Sequence, residues 1–344
     1  MRVPFVENGY GKPGPGRVLR PRTLSAMLAV LALAAALLAA PGYLPPYGLV
    51  VGFALLTSIA MAEAWNLVGG FGGQFSMAHS LFVGVGSYTT ATLLVRTDWP
   101  LPPVVALSGL LPATMAAATG LVIMRLRSVY FSVASLGVAL AVQAWMINWQ
   151  YTGATSGLSF PGSDAPDEST LYAMAVGLTV FSTVAIVAVV RSRFGLMLMA
   201  IRDDEDAAAG VGVRSLRIKV LSFSLSALIV GLVGSLIALQ QISIEPYSAF
   251  SFDWTINMIV ISVLGGLSTW QGPIVGAIFV VTIDQLLEQY QAFSTLIIAL
   301  CLILVIRLLP RGMWPGLRSL ANVIWRRFHR MAVPAEGSHG STDA

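Results

Sequence analysis

WNLVGGFGGQFSMAHS, residues 65–80, sets four glycines, an asparagine, a glutamine and a histidine between two strongly apolar runs. A helix crossing lipid has little use for such a stretch, because glycine weakens helices and an unpaired backbone amide in hydrocarbon is costly. Yet the 14 residues from Asn66 to His79 contain no Lys, Arg, Asp or Glu, which argues against an ordinary solvated loop. The expectation is a broken or re-entrant membrane helix. Irregular backbone survives at that depth only when it is buried in protein or lines a wet cavity.

The flanking composition sets the class. Of 344 residues 56% are hydrophobic and 10% charged, with a mean hydropathy of +0.79, against roughly 25% charged residues in soluble domains. An all-α polytopic membrane protein follows, with about ten transmembrane or re-entrant helices near 23–41, 48–68, 76–95, 104–124, 129–147, 171–190, 220–241, 255–268, 272–292 and 294–309. The first of these follows a basic segment (Arg2, Lys12, Arg17, Arg20, Arg22). Its apolar run of about 18 residues, roughly 27 Å as a helix, suits an uncleaved span better than a secretory signal. Cys301 is the one cysteine and the three histidines are scattered, so neither a disulfide framework nor a metal site is expected.

Charge orients the chain. With the N-terminus in the cytoplasm, the inside segments 1–22, 125–128, 191–219 and the tail from Arg307 hold 19 of the 20 Lys and Arg residues, all but Arg96. The outside segments hold Asp98, Asp164, Asp167, Glu168, Glu245 and Asp253. This is the positive-inside bias, and it predicts both termini cytoplasmic. The net charge of +4 therefore reflects membrane orientation rather than nucleic acid, and the WRRFHR cluster (325–330) reads as an anchor at anionic membrane lipid. The domain reading is a basic cytoplasmic segment 1–22, a membrane domain 23–311 and a cytoplasmic tail 312–344, partly disordered.

ATP binding in a P-loop requires a lysine followed by Ser or Thr. Lys12 and Lys219, the only lysines, are followed by Pro and Val. The chain is expected to be no enzyme and to hold no cofactor of its own.

A second glycine break, LGGLSTWQGP (264–273), falls in the corresponding position between the eighth and ninth spans. Paired broken segments are the best sequence pointer to a transporter's substrate path. The break glycines are Gly69, Gly70, Gly72 and Gly73 in the first and Gly265, Gly266 and Gly272 in the second. Short turns or close helix packing are the plainer explanation for several of them. The one sizeable polar insertion between spans is the loop 191–219. Met197 to Ala209 reads as a single short helix with Met197, Ile201 and Ala208 on one face, Asp203, Asp204, Glu205 and Asp206 as a solvated acidic run, and Gly210 and Gly212 as its stop. Such a helix suits a partner's groove.

Four stretches together resemble the permease subunits of branched-chain amino acid ABC importers, nearer the M-type of the two paired permeases. They are AWNLVGGFGGQFSMAHSLFVGVGSYTTATLL, LRSVYFSVASLGVALAVQ, RFGLMLMAIRDDEDAAAGVGV and VLGGLSTWQGPIVGAIF. The resemblance runs in order from about Gly48 to Arg311. It implies a second homologous permease, two ABC ATPase subunits carrying ATP and Mg, and a periplasmic or lipid-anchored substrate-binding protein. It also implies the bacterial inner membrane, and a coupling helix in the loop where Arg202, Asp203, Glu205, Ala208 and Gly212 match recurrent positions. Phe75 and Met77 depart from the smaller or aliphatic residues typical of the first break. Relatives carry urea, short amides or other amino acids, so an ABC permease for those solutes is an alternative.

The spans offer amides and hydroxyls rather than a charge cage. Candidates for the translocation path are Glu63, Asn66, Gln74, Ser76, His79, Ser132, Ser135 and Gln143. A serine more often bonds back to its own helix, and Asn66 or Gln74 more often bridges helices. Glu63 is the one acid well inside an N-terminal span, so protonation or pairing is expected, with His79 as a candidate partner across the break. Asp284 and Glu288, one turn apart, read as facing water or a docking protein. The rival class is a stand-alone secondary transporter or channel with Glu63 or His79 as its proton site, which leaves the polar loop without a purpose.

Overall fold

The computed structural model describes residues 37–287, apart from 39, 44, 128, 163 and 164, and short pieces between 296 and 318. The expected first and tenth spans, Glu288, Cys301 and both chain ends lie wholly or largely outside the described residues.

The described chain is nearly all helix. In order the helices are α1 Pro46–Asn66, α2 His79–Arg96, α3 Leu101–Ile123, α4 Val129–Asn148, α5 Glu168–Arg191, α6 Arg193–Asp203, α7 Glu205–Gly210, α8 Ser215–Gln241, α9 Pro246–Ala249, α10 Phe252–Gly265 and α11 Gly272–Leu286. Six segments among the described residues are long and apolar enough to cross a membrane: Pro46–Phe71, Leu101–Ile123, Val129–Asn148, Glu168–Arg191, Ser215–Gln241 and Pro246–Gly265. The expected third span is the less apolar α2, and the ninth is the shorter α11. Proline opens α1 and stands in the first turn of α3 and α11, where its missing N–H costs nothing.

Helix α8 is the axis of the bundle. Its apolar window is 72% buried and that of α1 67%, against 28% for α4 and 33% for α5, which leave most of their surface outward. Small residues let α8 approach its neighbours: a Cβ on Gly86 of α2 would overlap Gly231 O, and Gly231 itself lies under the ring of Pro112 in α3. Helices α2 and α8 run in parallel, with His79 beside Ser226 and Thr90 beside Ser235. Ser226 comes 11 residues after the start of α8 at Ser215, so α2 begins about 16 Å up that helix. The non-helical residues that precede it therefore lie along the flank of α8 rather than beyond its end.

On the face away from α6 and α7, β1 (Leu158–Ser159) pairs antiparallel with β2 (Ser243–Ile244). Arg96, the lone basic residue assigned to that side, stacks over the Tyr151 ring at 5.2 Å and donates to its carbonyl.

The polar loop departs from expectation. Instead of one helix over 197–209 there are two, α6 and α7, broken at Asp204. The Asp204 backbone is extended, and its carboxylate accepts from the Asp206 and Ala207 N–H groups, capping α7. Aspartate competes with helical backbone for these donors, so it starts a helix better than it continues one. Gly210 remains helical and Gly212, at φ +89°, makes the stop.

Candidate functional site

The first break begins as a widened π-turn, Leu67–Phe71, at the end of α1. The chain then loses regular structure until His79. In a membrane its backbone groups need partners other than water, and neighbouring helices provide them. Trp65 Nε1 donates to Ser76 O at 2.9 Å, Ser132 Oγ of α4 donates to Phe75 O at 2.6 Å, and Met77 N–H donates to Ser135 Oγ at 2.9 Å. Gln74 N–H reaches Val68 O, and Ser80 N–H reaches Thr255 Oγ1 of α10 at 2.8 Å. Ser135 also bonds back to Ser132 O, so it serves its own helix and the break together. Ser132 and Ser135 thus hold the backbone of the break. Gln143 stands half-buried two turns further along α4.

His79 opens α2 fully buried, with Nε2 2.8 Å from Ser226 Oγ. The single Ser226 hydroxyl proton is donated to Ala64 O at 2.7 Å. Ser226 must therefore accept from His79, which assigns the proton to Nε2 and leaves Nδ1 a bare acceptor. Nδ1 and Gln74 Oε1 are two of the three buried side-chain polar atoms without a partner among the described residues, the third being Ser215 Oγ. Ser76 is buried, its Oγ taking the Ala78 N–H.

Glu63 is buried between α1 and α5, where Ser182 Oγ lies 2.9 Å from Oε2 and Thr183 Oγ1 2.9 Å from both oxygens. The structure gives Glu63 these two hydroxyls rather than His79. Neither hydroxyl was legible in the sequence, because Ser182 and Thr183 lie 119 and 120 residues from Glu63 along the chain.

The second break is built onto the first. Asn66 Oδ1 accepts the Ser268 N–H at 3.1 Å, Asn66 Nδ2 donates to Thr269 O at 2.9 Å, and Ser268 Oγ donates to Gly70 O at 2.7 Å. A Cβ at Gly70 would overlap Asn66 Oδ1 and crowd the Ser268 backbone N at 2.8 Å, so a side chain here would displace the contact between the two breaks. Gly73, at φ +66°, lies against the stem of Arg202, while Gly69 faces the Trp65 ring and Gly72 faces Leu198. Across the second turn Gly265 and Gly272 are back to back, and Gly266 adopts φ +125°.

Helices α6 and α7 form a collar under both breaks. Met197, Leu198, Ile201 and Ala208 turn inward onto Leu67, Phe71 and Ile218, while Leu196 and Val211 point outward at 54% and 82% exposure. The acidic run is not simply a solvated face. Glu205 binds the buried Lys219 at 2.7 Å, Asp206 makes a two-pronged pair with Arg127, Asp203 holds Arg202, and Asp204 caps α7. Hydrogen bonds and charge from Asp206, with Glu205 adding to the field, push the Arg127 guanidinium above its ordinary range. Arg202 also donates to Ser268 Oγ at 2.9 Å. Among the described residues no group of three His, Cys, Asp or Glu side chains could hold a metal ion.

Residues 47–306 match the family described as branched-chain amino acid transport system, permease component. The chain is 26% identical over 290 residues to the high-affinity branched-chain amino acid transport system permease protein LivM of Salmonella typhimurium, covering 76% of this chain and 68% of that one. It is 27% identical over 300 residues to LivM of Escherichia coli, covering 78% and 70%. No solved structure matches.

Proposed function

Since the chain belongs to the permease-component family of branched-chain amino acid transport systems, we propose that it is one half of the membrane body of an ATP-driven importer in the bacterial inner membrane. Its cargo on this reading is an aliphatic amino acid. A second homologous permease forms the other half, two ABC ATPases carry ATP and Mg beneath them, and a periplasmic or lipid-anchored protein delivers the solute. The carrying observation is that the family match spans every described membrane helix and the α6–α7 collar. Ten crossings with both termini in the cytoplasm agree with the distribution of the 20 basic residues.

The collar is the proposed ATPase contact. Met197, Ile201 and Ala208 anchor it to the body, Arg202, Asp204, Glu205 and Gly212 set its shape, and Asp203, Leu196 and Val211 offer outward surface. ATP binding moves the partner ATPases together, the collar follows, and the paired permeases switch the side to which they open. Hydrolysis resets them. The solute path runs along the first break, where Gln74 and His79 carry polar atoms with no partner among the described residues. Such neutral groups bind an amino acid weakly, which suits passage when tight affinity resides in the delivery protein.

Copurification from the native membrane with mass spectrometry, followed by reconstitution, tests this. A second permease and two ATPases are expected, with uptake dependent on ATP. Uptake by this chain alone would replace the reading with a secondary carrier. In that case Glu63→Gln would abolish the pH dependence of transport, whereas the importer reading leaves it nearly unchanged.

A further inference from the structure

Ser268 sits in the turn between α10 and α11 at φ +59°. A side chain is disfavoured there and glycine is not, and in the same turn it is a glycine, Gly266, that adopts φ +125°. What the serine supplies is its hydroxyl. That one group accepts from Arg202 Nη1 of α6 at 2.9 Å and donates to Gly70 O of the first break at 2.7 Å. The Ser268 N–H adds the bond to Asn66, whose amide answers at Thr269. One residue in the second break therefore touches the collar and the first break together. The Arg202 side chain is 31% exposed, so its bond can open without stranding a charge in a dry interior.

We propose that Ser268 is a positioning residue for coupling: it transmits displacement of α6 through Arg202 to both glycine breaks at once, so that they move as a unit. Strained backbone retained for a side chain's contacts fits a part that switches rather than one that merely fills space. The proposal rests on the reading of α6 and α7 as the ATPase contact.

The test uses the complete complex in lipid vesicles, with radiolabelled leucine as probe. Uptake per ATP hydrolysed and the melting temperature are measured for wild type, Ser268→Ala, Ser268→Gly, Arg202→Gln and the Ser268→Ala/Arg202→Gln double variant. Ser268→Gly is expected to hold or raise the melting temperature, since the backbone relaxes, while uptake per ATP falls at least threefold. The double variant is expected to be no worse than the poorer single one, as residues acting through one another are not additive. Unchanged uptake per ATP in Ser268→Gly overturns the proposal, as does a loss that follows the melting temperature across the series. If the wild-type complex couples and the variants couple equally, only the Ser268 assignment fails. If wild-type uptake needs no ATPase, the importer reading fails and this proposal with it.

Discussion

The first glycine break and the α6–α7 collar face the same difficulty, a chain that must leave regular helix without stranding its polar groups, and they meet it with different chemistry. In the break the partners are neutral: Trp65, Ser132, Ser135, Thr255 and Asn66. In the collar they are ionic, with Lys219 on Glu205 and Arg127 on Asp206. A charge moved into low dielectric loses hydration that few partners can restore, whereas a hydroxyl loses little once it is bonded. Access to water therefore tracks the chemistry of the partners. Lys219 marks the boundary, its side chain 1% exposed while Glu205 keeps 30%.

Substitutions can break this contrast or sharpen it. The largest effect is expected at Gly70→Val, which drives a side chain into Asn66 and Ser268 and uncouples the two breaks. A loss of about 3 kcal/mol is expected from overpacking together with the displaced hydrogen bonds, read as a fall in melting temperature and in the yield of purified chain. Lys219→Met leaves Glu205 half-buried and unpaired. On the order of 2 kcal/mol is expected, below the range for a fully buried pair because water still reaches Glu205, and differential scanning fluorimetry in detergent would register it. Ser135→Ala removes the acceptor for the Met77 N–H, costing about 1 to 2 kcal/mol. Hydrogen exchange should quicken at residues 74–78, while α6 and α7 stay protected. If α6 and α7 loosen equally, the two regions are not separate. Arg127→Ala should leave the melting temperature unchanged at any salt concentration, because Arg127 and its partner Asp206 are 68% and 75% exposed and solvent screens such pairs. A clear loss there would mean that the collar depends on charge throughout.

Much of the fold was legible in the order of the residues, and much of the site was not. The edges of α4 and the two breaks follow from composition alone, because glycine and apolar runs act locally. The single helix expected over 197–209 missed the cap at Asp204, for an acidic run looks the same whether it is solvated or paired. Ser132 and Ser135 stood among the candidates for the solute path, with a bond back to their own helix as the plainer reading; both bond the backbone of the break, and Ser135 its own helix as well. The Glu63 pairing with Ser182 and Thr183, in place of His79, is a contact between α1 and α5 that nothing local announces.

By itself the sequence determined the membrane class, the uneven placement of the basic residues, the missing nucleotide loop and the family resemblance. Each of these is a property of composition or of order, and lipid and charge act on such properties directly. Only the tertiary structure decided which hydroxyl serves which carbonyl, which acids are paired, and that Ser268 meets Arg202 and Gly70 together. Hydrogen bonds of about 3 Å require atoms to coincide in space, and partners some 66 to 203 positions apart along the chain are brought together by packing alone.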